Sequence, residues 1–461
     1  MTDPFHNAAG SLAARDLESV FHPSTNLAKL PQQGAHVLVR GEGVYVWDDS
    51  GKQYLEGMAG LWCTSLGYGN ERLARVAAEQ MRTLSYTHLF AGKTHEPAIL
   101  LAERLKAMVP GGADKVFFGN SGSDANDTQI KLMWYYHNAI GKPAKKKIIG
   151  RKRGYHGITL ASASLTGLPT QHASFDLPLP QMKHVSCPHF YRNGEPGETE
   201  AAFATRMVRE LEQCILDEGP DTVAAFIAEP VMGAGGVIPP PADYLQQVQA
   251  MLRRHDVLFI DDEVITGFGR TGSAFGSTTY GIEPSTTTLA KALSSAYLPI
   301  SAVLVPDWLY EPVAEQSGRI GNFGHGYTYS GHPVCAAVAL ETLKIYEETQ
   351  LFDAVARLSP VFQARLRALG EHPLVGEARG VGLIGAVELV ADKATKASFE
   401  PARGVGALCA NFCRERGLIA RALGDSIALC PPLVITEAQV DELFTKLEGA
   451  LDDTLAAIRA G

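Results

Sequence analysis

Residues 257–295 constrain the fold more than any other stretch of this 461-residue chain. The stretch opens on a short apolar run, as expected of a buried parallel strand. Three acids follow that run directly: Asp261, Asp262 and Glu263. A second short run ends at Lys291. Because open α/β proteins bind ligands where the carboxyl ends of parallel strands meet, the pattern predicts that these acids and this lysine converge at one edge of a sheet.

A lysine buried at such an edge can have a lowered pKa and form a Schiff base with a carbonyl compound. An acid aimed at a heteroaromatic nitrogen would complete a site for pyridoxal 5'-phosphate (PLP). The plainer alternative is that the acids cap a turn and that Lys291 points into solvent. These residues alone leave both interpretations open, since a motif needs its structural context to count.

A second pattern in the same stretch indicates a different cofactor. Gly267, Gly269 and Gly272 form GxGxxG after the first strand. A dinucleotide site would need a helix to begin there and an acid roughly 20 residues later. Residues 273–281 are rich in Gly, Ser and Thr and are not predicted to be helical, and residues 289–293 contain no acid. A nicotinamide-dependent enzyme is therefore disfavoured.

Composition excludes several classes of function. The net charge of -9 argues against a nucleic-acid partner, which needs a basic surface. No apolar run reaches the length of a membrane span, and the first ten residues lack the basic and apolar regions of a signal peptide. Seven scattered cysteines predict reduced thiols and a cytoplasmic protein. His184, Cys187 and His189 lie close in sequence, but without a second ligand pair nearby no metal site is predicted.

The order of strand and helix patterns predicts an α/β chain. Strand-like and helix-like segments alternate from residue 115 to 262, which is typical of βαβ units and a mostly parallel sheet. After Pro333 long amphipathic helices flank strands at 381–390 and 425–430. We therefore expect residues 1–65 to form an N-terminal arm and part of a small domain, 66–333 a large ligand-binding domain, and 334–461 the rest of a smaller α+β domain.

Finer features are also predicted within these parts. Residues 1 to about 35 look like an irregular arm, and a hairpin is expected about the turn Asp49-Ser50-Gly51. Asn70 and Thr94 are expected to cap the two helices that follow.

Residues 117–126, FFGNSGSDAN, predict a phosphate-binding turn. A strand enters a Gly/Ser turn and a helix leaves it, so unpaired N–H groups and the positive end of the helix dipole meet there. The turn lacks the lysine of a P-loop, which disfavours a nucleoside triphosphate. Gly154-Tyr155-His156-Gly157 places an aromatic ring in a tight turn, where it can stack on a planar cofactor. Glu229 ends another strand at the edge that carries Asp262.

Together these motifs resemble those of one family, the class III (omega) aminotransferases of the type I PLP-enzyme fold. The matching pieces are NSGSDAND, YHG, AEPVMGAGG, DEVITGFGRTG, TTLAKALSSAY and GHGYTYSGHP, in family order. Within the family the chain is most similar to the amine–pyruvate and ω-amino acid–pyruvate group. Two positions depart from the family pattern: Ser285 stands where an Asp is usual, and Ala292 where a Gly is usual.

The resemblance implies a role for each matching residue. Lys291 would form the Schiff base and move the proton, Asp262 would pair with the ring nitrogen, and Tyr155 would stack on the ring. The implied cofactor-binding residues are Ser121, Gly122, Ser123, Tyr155, His156, Glu229, Asp262, Val264, Lys291 and Thr328, the last acting on the partner subunit's cofactor. The implied substrate-binding residues are Leu61, Trp62, Phe90, Tyr155 and Arg421. Asp261 competes with Asp262, but the two-residue period of a strand turns it to the other face.

The implied reaction is a ping-pong exchange. An amino group would pass from a terminal amine, diamine or ω-amino acid to a keto acid, with pyruvate the expected acceptor. An aldehyde or ketone and alanine would be released. The alternative is another PLP reaction on the same scaffold: an aminomutase, a racemase or a decarboxylating transaminase. The expected assembly is a homodimer or a dimer of dimers, with no nucleic acid, membrane or metal involved.

Overall fold

The computed structural model describes residues 10–460, so the signal-peptide expectation, which rests on the first ten residues, lies almost wholly outside it. The strands are β1 (Leu38–Glu42), β2 (Tyr45–Asp48), β3 (Gln53–Glu56), β4 (Lys115–Gly119), β5 (Lys147–Arg151), β6 (Met182–Val185), β7 (Val223–Ala228), β8 (Leu258–Asp262), β9 (Thr286–Leu289), β10 (Ser301–Val305), β11 (Val375–Val381), β12 (Ile384–Leu389), β13 (Leu418–Ile419), β14 (Arg421–Leu423) and β15 (Ser426–Leu429).

The helices follow the same order along the chain. They are α1 (Leu12–Ser19), α2 (Leu30–Gln33), α3 (Ala59–Trp62), α4 (Glu71–Thr83), α5 (Glu96–Met108), α6 (Gly122–Ala139), α7 (Leu160–Leu165), α8 (Phe190–Asn193), α9 (Glu200–Glu218), α10 (Tyr244–Arg254), α11 (Gly276–Tyr280), α12 (Asp307–Ile320), α13 (Pro333–Glu348), α14 (Leu351–Ala368), α15 (Val405–Glu415) and α16 (Glu437–Ala460). Within residues 10–460, no helix combines the length and the apolar character needed to cross a bilayer.

A seven-stranded sheet forms the centre of the large domain, with the order β4-β10-β9-β8-β7-β5-β6. Its strands are parallel except β10, which runs antiparallel to both of its neighbours. Alternate residues of β7 face opposite layers: Phe226 packs with α9 and α10, whereas Ile227 packs with α6. Helices therefore cover both faces of the sheet, as the run of apolar residues in its central strands predicts.

The smaller α+β domain is built from both ends of the chain. An antiparallel sheet of order β11-β12-β15-β14 comes from the C-terminal part, and β13 pairs in parallel with β3 of the N-terminal sheet. The fold class expected from the sequence is confirmed. The predicted hairpin at 49–51 is also confirmed, because β2 and β3 pair antiparallel across it.

Several local predictions were wrong. The arm expected to be irregular contains α1 and α2. The helix expected to begin after Thr94 is capped one residue later, because the side chain of His95 accepts the amide of Ala98. The strand expected at 381–390 is confirmed as β12, but the strand before it was not predicted: β11 pairs with β12 across a turn in which Gly382 has a φ of 58°. Glu377 and Arg379 interrupt the apolar pattern of β11, so this strand resembles a loop in the sequence.

Candidate active site

The carboxyl ends of adjacent strands bring the predicted residues to one edge of the large sheet. Asp262 ends β8, and the chain reaches Lys291 just past the end of β9. In the register of these parallel strands, Asp262 lies opposite Thr288. Glu229 follows the neighbouring β7, and Tyr155 follows β5. The parallel order expected from the sequence is thus what gathers the site.

Lys291 holds a backbone conformation that few lysines adopt. Its φ is 49°, in the left-handed region, and a single 3₁₀ turn, Lys291–Ser294, begins at it. Such a conformation costs about 1–3 kcal/mol and persists where surrounding structure enforces it, often at functional sites. Burial lowers the pKa of the Lys291 ammonium, and the carboxylate of Asp262 acts in the opposite direction. A lowered pKa makes the neutral, nucleophilic amine more available.

The two departures from the family pattern are accommodated locally. The hydroxyl of Ser285 accepts the amide of Phe259 at 3.0 Å, and the amide of Ser285 donates to the carbonyl of Phe259 at 2.8 Å. These bonds attach the start of β9 to β8. Ala292 is the second residue of the turn that begins at Lys291, and its side chain is buried in the core.

Asp262 accepts hydrogen bonds from three different parts of the fold. Its Oδ2 accepts from the amide of Asn126 at 2.7 Å and from Nδ1 of His156 at 2.8 Å. Its Oδ1 accepts from the backbone amide of Val264 at 3.2 Å. The carboxylate is only 3% exposed, so these donors determine where it points. The hydrogen bond between His156 and Asp262 also places a proton on Nδ1 of His156, since a carboxylate can only accept.

Asp261 and Glu263 face away from this site. The Glu263 carboxylate accepts from Thr266, from the amide of Gly276, and from both the amide and hydroxyl of Ser277. Asp261 is fully buried, and within residues 10–460 neither of its oxygens has a hydrogen bond of good geometry. Burial and the neighbouring Glu263 raise the pKa of the Asp261 carboxyl well above its usual value. Asp262 is therefore the acid of the triplet that faces Lys291, as strand periodicity predicts.

Glu229 ties two loops to the same edge. Its carboxylate accepts the backbone amide of Tyr155 at 2.9 Å and that of Gly233 at 2.8 Å. Burial raises the pKa of Glu229, and the neighbouring Asp262 acts in the same direction while His156 opposes it. Burial also raises the pKa of the half-buried Tyr155 phenol.

The N-terminus of α6 has a reciprocal cap. Ser121 accepts the amide of Asp124 at 3.2 Å, and Asp124 accepts the amide of Ser121 at 3.0 Å. The cap leaves the amides of Gly122 and Ser123 for an acceptor from outside the helix. A side chain at position 122 would place its Cβ 3.0 Å from a methyl group of Val264, which is tighter than most such contacts, so glycine suits this surface best.

Arg421 begins β14 and lies near the ring of Tyr155. Its guanidinium is half-buried, which lowers its pKa, and the Tyr155 phenol acts in the opposite direction. Among residues 10–460, no carboxylate forms an ion pair with it. A partly buried cation without a counter-ion is unfavourable, so this position favours an anionic ligand.

The remaining predicted residues lie in two environments. Trp62 is buried among Met58, Val231 and Ile265, and both it and Ala59 have positive φ values. Leu61 and Phe90 are exposed. Thr328 is also exposed, in a loop whose Gly326 packs closely against Phe90. These exposed residues are not enclosed by their own chain.

The comparisons with known proteins agree with this geometry. A family model described as Aminotransferase class-III matches residues 29–451. This chain is a class III aminotransferase. It is 51% identical over 419 residues to gamma aminobutyrate transaminase 3, chloroplastic, of Solanum lycopersicum, a match that covers 91% of this chain and 81% of the relative.

Two solved structures resemble the aminotransferase over nearly its whole length. The omega transaminase of Pseudomonas jessenii in complex with PMP has a TM-score of 0.96 and 52% sequence identity, covering 98% of this chain and 100% of that chain. A transaminase solved with L-alanine has a TM-score of 0.90 and 55% identity, covering 92% of this chain and 100% of that chain.

Class III aminotransferases use PLP, and the residues at this edge fit it. The fit rests on three features of the chain: the uncapped amides of Gly122 and Ser123, the buried Asp262 carboxylate, and the strained Lys291 turn. They offer donors for a phosphate, an anion for a ring nitrogen and an amine for an aldehyde.

The alternative motifs of the aminotransferase have structural roles. A short helix, α11, does follow GxGxxG, against expectation, because the Glu263 carboxylate caps its first amides. His184 bonds the carbonyl of Leu165, whereas His189 bonds Glu377, so the tight cluster in the sequence does not converge. His189, Glu377 and Glu388 do approach one another, with the guanidinium of Arg379 bonded to both carboxylates.

Sequence reasoning missed Asn126 and Thr288 as members of this site. Asn126 donates to Asp262, and the Thr288 hydroxyl donates to Asn126 at 2.9 Å. The available signal was a polar residue on the buried face of the helix that follows the phosphate turn. The spacing of Asn126 and Gln129, with that of Thr286 and Thr288, would place both pairs at the interface of α6 and β9.

Proposed function

We propose that this class III aminotransferase transfers an amino group from a terminal amine, diamine or ω-amino acid to pyruvate. The observation that carries the proposal is Arg421, a half-buried guanidinium beside Tyr155 with no ion-pair partner among residues 10–460. Such a group suits the carboxylate that the keto acid carries and that a terminal amine or diamine donor lacks.

We assign the following positions to the cofactor. Gly122 and Ser123 would bind the phosphate through their amides, with the Ser121 hydroxyl beside them. Asp262 would meet the ring nitrogen, held there by His156. The remaining contacts are assigned to Tyr155 and Val264 on the two faces of the ring, to Glu229 near its hydroxyl, to Lys291 at its aldehyde, and to Thr328 of the other subunit at its phosphate.

When bound, PLP withdraws electrons from the amine-bearing carbon of the substrate and so acidifies its hydrogen. Lys291 Nζ takes that proton, and in the second half-reaction it returns a proton to the keto carbon of the acceptor. The Asp262 carboxylate would face the ring nitrogen and accept a hydrogen bond from it. Tyr155 fixes the ring plane, since its loop is tied to Glu229. Arg421 binds the carboxylate of the acceptor bidentately.

The relatives support the proposed substrates. The tomato relative is named for γ-aminobutyrate, which is an ω-amino acid, and we propose this donor class for the present chain. One structural relative was solved with L-alanine, which supports pyruvate as its keto partner here. Leu61, Trp62 and Phe90 are proposed to contact the hydrocarbon part of the donor.

We further propose a homodimer, or a dimer of dimers, as the active assembly. Apolar side chains are exposed on the loops that carry or adjoin the predicted site, including Leu61, Phe90 and Tyr329. These surfaces would be covered by a second subunit, which would also bring Thr328 to the site. The free thiols Cys63, Cys187, Cys214, Cys335, Cys409, Cys413 and Cys430 support a reducing compartment, and we propose the cytoplasm.

The deciding experiment is a panel of amino donors assayed with pyruvate and, separately, with 2-oxoglutarate. The panel contains γ-aminobutyrate, β-alanine, putrescine and a simple monoamine. We expect alanine to form from pyruvate without release of carbon dioxide, and Lys291→Ala protein to form none. Isomerised donor without alanine would indicate an aminomutase or racemase, and carbon dioxide would indicate a decarboxylating enzyme.

The lysine is tested separately by reductive trapping. Borohydride reduction of the purified holoenzyme followed by peptide mass spectrometry should find the pyridoxyl label on Lys291. A label on a different lysine, with Lys291 unmodified, would refute the assignment of the site.

A further inference from the structure

Behind Asp262 lies a chain of buried side-chain hydrogen bonds that leads away from the substrate side of the sheet. The Thr286 hydroxyl lies 2.9 Å from Oε1 of Gln129, and Nε2 of Gln129 lies 3.2 Å from the hydroxyl of Thr288. The Thr288 hydroxyl lies 2.9 Å from Oδ1 of Asn126, whose Nδ2 lies 2.7 Å from Asp262. All five side chains are between 0% and 3% exposed.

One backbone carbonyl determines the direction of every hydrogen bond in this series. Nδ2 of Asn126 also lies 2.7 Å from the carbonyl oxygen of His156, which can only accept. The amide nitrogen of Asn126 must therefore face His156 and Asp262, and its oxygen must face Thr288. The single hydrogen of the Thr288 hydroxyl is then used toward Asn126.

The directions of the hydrogen bonds made by Gln129 and Thr286 follow from this donation. Since the Thr288 hydroxyl donates its hydrogen to Asn126, Gln129 must present its NH₂ group to Thr288. The oxygen of the Gln129 amide is then left for the Thr286 hydroxyl, which donates to it. Every member has one orientation that satisfies its neighbours, and each donation points toward Asp262.

The opposite orientation of Asn126 is costly in this setting. A flipped amide would turn its oxygen toward both the Asp262 carboxylate and the His156 carbonyl, so acceptors would face acceptors. Thr288 would face an NH₂ group that it could satisfy only by giving up its own donation. Because no water reaches these fully buried groups, the penalty is not relieved by solvent.

The secondary structure explains why these residues meet. Thr286 and Thr288 are two residues apart on β9 and share one face of the sheet. Asn126 and Gln129 are three residues apart on α6 and share one face of that helix. Both faces meet in the layer between helix and sheet, so the threonine pair matches the amide pair.

We propose that Thr288, Gln129 and Thr286 are positioning residues for the ring-nitrogen site: they hold the Asn126 amide in the one orientation that donates to Asp262. The inference rests on the proposed role of Asp262 and adds to it the groups that orient the Asn126 amide, one of its three donors. The residues act through Asn126 and do not themselves touch the cofactor or substrate.

The test compares three holoenzyme variants on one strand. Thr288→Val keeps the shape but removes the donor, and Thr288→Ser keeps the donor. Thr287→Val is the matched control, since Thr287 is buried one residue earlier on the opposite face. Two quantities are measured: the single-turnover rate with a monoamine, and the pH midpoint of the visible absorbance of bound PLP.

We expect Thr288→Val to slow the single turnover about tenfold, the factor that corresponds to one lost hydrogen bond. Its absorbance midpoint should move by about half a pH unit or more, because the charge at the ring nitrogen is less well held. Thr288→Ser should restore both quantities. Equal behaviour of Thr288→Val and Thr287→Val in both measurements would overturn the proposal.

Two further variants keep the test decisive. If Thr288→Val does not fold, the single variant Thr286→Val removes only the donor furthest from Asp262. It should shift the absorbance midpoint of bound PLP by less than the shift of about half a pH unit expected for Thr288→Val. No shift in Thr286→Val would overturn the proposal. Asp262→Asn distinguishes the proposed role of Asp262 from the proposed positioning role of Thr286 and Thr288. If Asp262→Asn turns over normally, the assignment of Asp262 is wrong; if it is impaired while the Thr286 and Thr288 variants match the control, only the positioning proposal fails.

Discussion

Arg379 of the C-terminal sheet is hydrogen-bonded to the carbonyl oxygen of Gly236 in the large domain, with its Nη2 at 2.6 Å and its Nε at 3.1 Å. The Nη1 of the same guanidinium donates to Glu377 and Glu388, both at 2.6 Å. Gly236 belongs to the loop whose Gly233 donates to Glu229. One buried arginine thus joins the two domains beside the predicted site.

Replacing Arg379 should destabilise the protein strongly. Arg379→Met would leave the buried Glu388 carboxylate with fewer partners and the Gly236 carbonyl without its donor. Removing one member of a buried ion pair typically costs about 3–5 kcal/mol. We expect a clear fall in the melting temperature of the holoenzyme, whereas Arg367→Met, an exposed arginine on α14, should change it little. Equal melting temperatures would contradict the role of Arg379.

Turnover should depend on Asp262 but not on Asp261 when each is replaced by asparagine. Asp262→Asn removes a carboxylate held by three donors at the site, and we expect it to slow the amine half-reaction by more than about a hundredfold. Asp261→Asn should leave turnover within about twofold, since that carboxyl is on the opposite face of β8 from Asp262 and faces away from Lys291. The reverse result would make Asp261 the functional acid.

Asp261 also predicts a pH dependence of stability. Its raised pKa means that the folded protein keeps this proton when the unfolded chain has lost it. The contribution of Asp261 to the free energy of unfolding therefore falls as pH rises above about 4, by about 1.4 kcal/mol per pH unit until the folded pKa is reached. Asp261→Asn lacks this loss, so its stability relative to wild type should increase between pH 5 and pH 7. Urea unfolding at both pH values measures the difference.

Arg421 should matter for one half-reaction only. Arg421→Ala should raise the pyruvate KM about 10- to 100-fold, as expected for a lost charge-assisted bidentate contact. The half-reaction with a monoamine should change little, because that substrate has no carboxylate. Arg416→Ala, an exposed arginine paired with Asp453, is the matched control. Equal losses in both half-reactions would mean that Arg421 supports the fold instead of the acceptor.

Thr328 should act on the other subunit. Neither Lys291→Ala nor Thr328→Ala chains are expected to be fully active alone at limiting PLP. After subunit exchange, mixed dimers should contain one intact site, so an equal mixture should regain about a quarter of wild-type activity. Differently tagged chains verify the exchange. Restored activity is not expected if Thr328 serves its own chain, and full activity in a verified monomer would also exclude sharing.

The sequence was sufficient for the fold class and the family because both depend on local patterns. Buried parallel strands read as continuous apolar runs, and the residues at their carboxyl ends must share an edge. That rule brought Asp262, Glu229 and Lys291 together before any contact was known, whereas Tyr155 was assigned to the site by the family resemblance. Their chemical roles stay predictions that rest on this geometry.

The tertiary structure decided what depends on residues distant in the chain. The helix after GxGxxG forms because Glu263 caps it, and β11 pairs although its charged side chains resemble a loop. The direction of the Asn126 amide follows from one carbonyl of His156 and one hydroxyl of Thr288. A hydrogen-bond direction is a property of all partners at once, so no local window contains it. The sequence alone determined which groups reach the edge of the sheet, and packing determined how each of them is held.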